Sequence, residues 1–137
     1  MNNNICVVGG GYWGKNHIRT LYELGLLGGI VEENRELLDQ HSKQYSNILT
    51  FQKIDDALCN KEFAGFTVAT PAETHYNIAS EIIKSGKHVL VEKPLTLNIK
   101  DAQALQNLAD KHTVNLMVGH ILLFHPAIQK IKELIQE

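Results

Sequence analysis

A chain of 137 residues has the length of one ordinary domain, long enough to bury a core and too short for two full ones. Its 44% hydrophobic and 20% charged residues suit a globular protein, and no apolar run is long enough to cross a bilayer, so no membrane partner is expected. A formal charge of -2, without a basic stripe carrying interleaved aromatics, argues against nucleic acid as a partner.

Short apolar runs alternate with longer amphipathic ones from end to end. Ile5–Val8 is apolar throughout, as a strand covered on both faces would be, and it stops at Gly9-Gly10-Gly11. Helical spacing follows from about Tyr12 to Leu24, with Ile18, Leu21 and Leu24 on one side and Gly25 as a stop. A second strand is predicted at Gly29–Glu32, then a helix at Asn34–Tyr45 capped by Asn34. A short strand at Ile48–Phe51 and a short helix at Ile54–Cys59 precede a buried strand at Phe66–Ala69, which Thr70-Pro71 ends. Thr74 is placed to cap a helix running to about Lys84, and His88–Val91 forms the next strand before Pro94. Asn98–Lys111 reads as a helix, Leu116–Val118 as a last strand, and Pro126 opens a helix whose Ile128, Ile131, Leu134 and Ile135 keep helical spacing. Such alternation requires crossover connections, hence an α/β fold over residues 1–137. The sheet is expected to be doubly wound and mainly parallel, with helices on both faces and the first strand central.

Gly9, Gly11 and Gly14 match G-x-G-x-x-G, and the motif follows an apolar strand and opens a helix. In that context its first glycine permits a tight turn, its second lets a pyrophosphate approach the backbone, and its third lets helix and strand pack closely. The helix N-terminus beside Tyr12 and Trp13 then offers free N–H groups to the phosphates. The motif also calls for an acidic residue roughly twenty positions on, to accept from the adenosine ribose hydroxyls, and Glu32 stands there. A carboxylate at that point repels a 2′-phosphate, which favours NAD over NADP, although Glu33 could do the same job and Arg35 could face a phosphate. Thr70, Pro71, His75, Glu92 and Lys93 lie just beyond strand ends, where a parallel sheet places its ligand; Lys93 is the candidate to reach a substrate hydroxyl.

Cys6 and Cys59 form no C-x-x-C pair and read as small buried apolar groups; His17, His41, His112 and His125 show no metal-ligand spacing. The N-terminus has neither the basic region nor the long apolar stretch of a secretory signal, which implies a cytoplasmic setting.

Together the glycine motif with Trp13, the segment Ala69–His75, Glu92-Lys93-Pro94 and Met117–His120 resemble the Gfo/Idh/MocA family of NAD(P)-dependent oxidoreductases, over nearly the whole chain. Within it the pattern is similar to members acting on nucleotide-linked sugars. The resemblance implies hydride transfer between a sugar hydroxyl and nicotinamide. It makes Lys93 the lysine that orients or deprotonates the reacting hydroxyl, and sets Thr70, Pro71, His75, Glu92 and Lys93 on the ribose and nicotinamide side of the cofactor. Members of the family continue into a second domain with a D-x-x-x-H segment, and this sequence has no such segment. The expectation is therefore the NAD-binding part of a sugar dehydrogenase whose substrate domain is missing. The alternative is a stand-alone nucleotide-binding module acting through a partner. Uncovered apolar surface on the C-terminal helix would favour a homo-oligomer.

Overall fold

The computed structural model describes residues 4–136. Six strands, β1 (Asn4–Val8), β2 (Leu27–Val31), β3 (Leu49–Phe51), β4 (Phe63–Val68), β5 (His88–Val91) and β6 (Leu116–Val118), form one sheet in the order β3-β2-β1-β4-β5-β6. Every pairing is parallel, so the chain returns by a crossover after each strand, and the first strand lies at the centre as expected. The crossovers contain α1 (Gly14–Glu23), α2 (Arg35–Gln44), α3 (Ile54–Leu58), α4 (His75–Lys84) and α5 (Ile99–His112), and α6 (Pro126–Gln136) follows β6.

Alternation along β1 sorts the core into two layers, because successive side chains of a strand point to opposite faces. Cys6 and Val8 face Ala79, Ile82, Ile83, Leu105 and Ala109 of α4 and α5, together with Phe66, Val68, Val89 and Val91 of the neighbouring strands. Val7 faces the other way, into Ile18 of α1, Ile30 of β2 and Tyr45 at the end of α2. A strand with both faces covered can be apolar at every position, which is why β1 reads as an unbroken hydrophobic run.

Several boundaries differ from the sequence reading. β4 starts at Phe63, three residues before the predicted Phe66, because Gly65 looks like a breaker yet is a close-approach residue: a Cβ there would stand 3.0 Å from the His88 carbonyl oxygen of β5. Thr74 does not cap α4. Its hydroxyl donates to the Pro71 carbonyl at 2.7 Å within a 3₁₀ turn, Ala72–Thr74, that precedes the helix. Cys59 is exposed rather than buried, at the C-terminal end of the short α3, whereas Cys6 is buried and its burial pushes the thiol pKa up. Asn34 caps α2 as expected, accepting from Leu37 N at 3.1 Å, and Asn98 caps α5 in the same way, accepting from Asp101 N at 2.9 Å.

Candidate functional site

The register of the sheet builds the site. Val31, Val8, Val68, Val91 and Val118 pair in one row across β2, β1, β4, β5 and β6. The residues that follow them, Glu32, Gly9, Ala69, Glu92 and Gly119, therefore stand side by side along the carboxyl edge. Backbone bonds carry the ladder one step further: Gly9 N donates to Val31 O, Ala69 N to Val8 O, Glu92 N to Val68 O and Gly119 N to Val91 O.

Between β1 and α1 the glycines serve separate ends. Gly9 has φ 89°, a left-handed conformation, and a Cβ on it would come 2.9 Å from the Thr70 methyl. Gly14 packs so closely on the turn that a Cβ would lie 1.8 Å from the Gly9 carbonyl oxygen. Gly11 is different: nothing lies within 4 Å of where its Cβ would be, so no contact within the protein requires glycine there. What its missing side chain leaves is open space in front of the turn. The helix that starts at this space is also bare. Trp13, at the N-cap of α1, makes no side-chain capping bond and the first turn carries no acidic residue, whereas α2 and α5 have asparagine caps and an acidic first turn. The positive end of α1 is thus left to whatever occupies the space, and a phosphate's oxygens fit it by charge and by hydrogen bonding.

Glu32 stands across the cleft. Its Oε2 accepts from Gly10 N at 2.7 Å and its Oε1 from Asn34 N at 2.9 Å, which fixes the carboxylate between the glycine turn and the start of α2 while lone pairs on both oxygens remain for ribose hydroxyls. A cleft of about 250 Å³ runs past it, lined among others by Gly9, Gly11, Glu32, Glu33, Thr70 and Pro71. The glycine-motif carboxylate and the strand-end Thr-Pro thus line one cavity.

Toward β5 and β6 the rim carries Lys93, whose Nζ lies 5.7 Å from the centre of the Trp13 ring; Tyr12 packs edge-on against Trp13. Lys93 also borders an apolar recess of about 380 Å³ with Gly119, His120 and Ile121–Leu123. His75 is placed otherwise than at the cleft surface. Its ring is 1% exposed, with Nδ1 2.8 Å from the Pro94 carbonyl and Nε2 2.8 Å from the Thr70 carbonyl, so it ties the two rim loops together from behind. Thr70 donates its hydroxyl to Thr74 Oγ1 at 2.7 Å, since the Thr74 proton is already given to Pro71. The Glu92 carboxylate turns toward α1, where His17 Nε2 donates to Oε1 at 2.7 Å.

Three residues of this region, His17, His41 and Gly10, make contacts that motif spacing does not reveal. His41 donates through Nε2 to the Gly10 carbonyl at 2.8 Å, and its ring fills the place a Cβ on residue 10 would need, 2.6 Å away. The signal for both histidines is position: each lies on a helix that starts at the carboxyl edge, within two turns of its start. Among the described residues no group of three His, Cys, Asp or Glu side chains could hold a metal ion, and no helix is long and apolar enough to cross a membrane.

Residues 3–120 match the family model GFO_IDH_MocA, described as an oxidoreductase family with an NAD-binding Rossmann fold. The chain is 32% identical over 127 residues to UDP-N-acetylglucosamine 3-dehydrogenase of Acidithiobacillus ferrooxidans, covering 93% of this chain and 40% of that protein. It superposes on the WlbA dehydrogenase of Bordetella pertussis, solved in complex with NADH and UDP-GlcNAcA, with a TM-score of 0.91 and 26% identity, covering 98% of this chain and 42% of that one. A more distant relative, 23% identical over 138 residues and covering 96% of this chain and 38% of that protein, is the D-xylose 1-dehydrogenase [NADP(+)] of Haloarcula marismortui. The chain therefore spans about 40% of the length of these relatives.

Proposed function

The chain belongs to the Gfo/Idh/MocA family of NAD-binding oxidoreductases, and from that premise we propose that it binds NAD across its carboxyl edge as the cofactor part of a nucleotide-sugar dehydrogenase. The observation that carries the reading is the pairing of an uncapped α1 with open space at Gly11, facing a carboxylate held ready on Glu32. The pyrophosphate would rest on the backbone of Gly11 to Gly14, where the helix N–H groups are unspent. Glu32 would accept from the 2′- and 3′-hydroxyls of the adenosine ribose, and Glu33, which lines the same cleft, adds a second negative charge against a 2′-phosphate. That local charge supports NAD over NADP.

Lys93 would orient the substrate hydroxyl and take up its hydrogen bond at Nζ, held beside the Trp13 ring at the mouth of the apolar recess. Bound nicotinamide supplies the hydride acceptor or donor. Thr70 and Pro71 wall the cleft between the two halves of the cofactor, while His75 keeps their loop against Pro94. Nucleotide sugars as the substrate class rest on the relatives named above. At about 40% of their length, this chain would need residues beyond it, or from another polypeptide, to enclose a sugar. The free thiols Cys6 and Cys59 support a reducing, cytoplasmic setting.

Substituting Glu32→Ala and titrating both cofactors tests the assignment. The reading expects NAD affinity to fall by about tenfold, the size of a charge-assisted hydrogen bond, and the preference over NADP to narrow. Unchanged affinity for NAD would remove Glu32 from the site.

A further inference from the structure

Glu92 is the rim residue whose carboxylate is directed at α1. Oε1 accepts from His17 Nε2 at 2.7 Å and Oε2 from Lys93 N at 3.3 Å. Gly119, beside it in the strand-end row, leaves the space the carboxylate fills: a Cβ there would stand 3.2 Å from Cδ and Oε2. The His17 and Glu92 side chains are 24% and 14% exposed, so their contact is less screened than a surface pair. Trp13 lies four residues before His17, one helical turn away, and Lys93 follows Glu92 directly. The His17–Glu92 contact thus joins α1 to the end of β5 at the point where the Trp13 ring meets the Lys93 ammonium.

We infer that His17 is a positioning residue, which through Glu92 holds Lys93 against Trp13 so that the phosphate-binding turn and the reacting lysine form one rigid unit. Lysine carries its charge on a flexible four-carbon stem, and a weak contact with an indole face does not hold such a stem unless the backbone beneath it is fixed. The carboxylate supplies that anchor by tying α1 to the end of β5, with Gly119 after β6 leaving it room. The inference rests on the reading of Lys93 as the lysine that meets the substrate hydroxyl, but the arrangement it describes requires no nucleotide.

Trp13 is the chain's one tryptophan, so its fluorescence reports the Lys93 contact directly. Emission spectra and thermal unfolding would be recorded for the full chain and for Lys93→Met, His17→Leu, His17→Gln and Gly119→Ala. Lys93→Met should shift the emission by removing the cation. His17→Leu should shift it in the same direction and to a similar extent, and His17→Gln, which keeps an N–H donor, should restore much of the original spectrum. Gly119→Ala presses on the carboxylate, which must give by a few tenths of an ångström, without touching either partner, and should shift the emission in the same direction to a smaller extent, which keeps the test decisive if His17→Leu does not fold. A lowered unfolding temperature with unchanged emission in His17→Leu or Gly119→Ala would reduce the pair to a structural bond and overturn the inference. So would unchanged emission in Lys93→Met, because the contact would then not exist. Adding NADH to the unaltered chain separates the two readings: no binding there would sink the nucleotide assignment while leaving the emission comparison intact.

Discussion

Gly14 leaves no room for any side chain, because its neighbour across the turn is the Gly9 carbonyl oxygen. Gly14→Ala should therefore open the turn, abolish dinucleotide binding and cost on the order of 1–3 kcal/mol of stability, the usual penalty for forced overpacking; urea unfolding and a cofactor titration would check both. The two thiols make a second contrast at this scale. Cys59 should react at once with a thiol reagent and Cys6 only as the chain unfolds. Burial raises the Cys6 pKa, so the folded state keeps the neutral thiol while the unfolded chain ionises. Its contribution to stability is present below the ordinary thiol range and is lost as pH climbs above it. The motif glycines, Glu32 and Lys93 were legible in the sequence because spacing from a strand end fixes where such residues fall. His17, Gly10 and His41 were not, since what marks them is a partner 75 or 31 positions away, and a single sequence carries no sign of that pairing.

At the scale of elements, capping separates the helices that hold the fold from the one that faces the ligand. Asn34→Ala and Asn98→Ala should each cost about 1 kcal/mol in thermal or chemical unfolding, the usual worth of an N-cap. No comparable loss is expected on replacing Trp13, which caps nothing, although its removal should alter the Lys93 environment. Periodicity located the six strands and six helices of the described residues, since a two-sided parallel sheet makes its strands largely apolar and its helices amphipathic. It placed their ends less well. β4 runs through Gly65, where the glycine answers to the neighbouring strand, and the 3₁₀ turns Ala72–Thr74 and Ile121–Phe124 are too brief to leave a period.

Across the whole molecule the sheet is well covered on the α4 and α5 side and the C-terminal elements are not. Ile128, Ile131, Leu134 and Ile135 of α6 are between 39% and 78% exposed, and Ile121, Leu122, Leu123 and Phe124 beside them are exposed as well. An apolar surface of this kind associates when it has no cover, so the isolated chain should elute from a sizing column at a position that depends on concentration. Replacing Ile131 and Ile135 by glutamate should remove that dependence; a strict monomer at all concentrations would contradict it. If a dinucleotide lies with its phosphates on the bare start of α1 and its adenosine ribose on Glu32, calorimetric titration of the chain with NAD and with NADP will register it. Saturable one-to-one binding of NAD, weaker binding of NADP, and loss of both in Gly14→Ala are expected. Absence of binding by the folded chain, or NAD affinity untouched by Gly14→Ala, would contradict that placement.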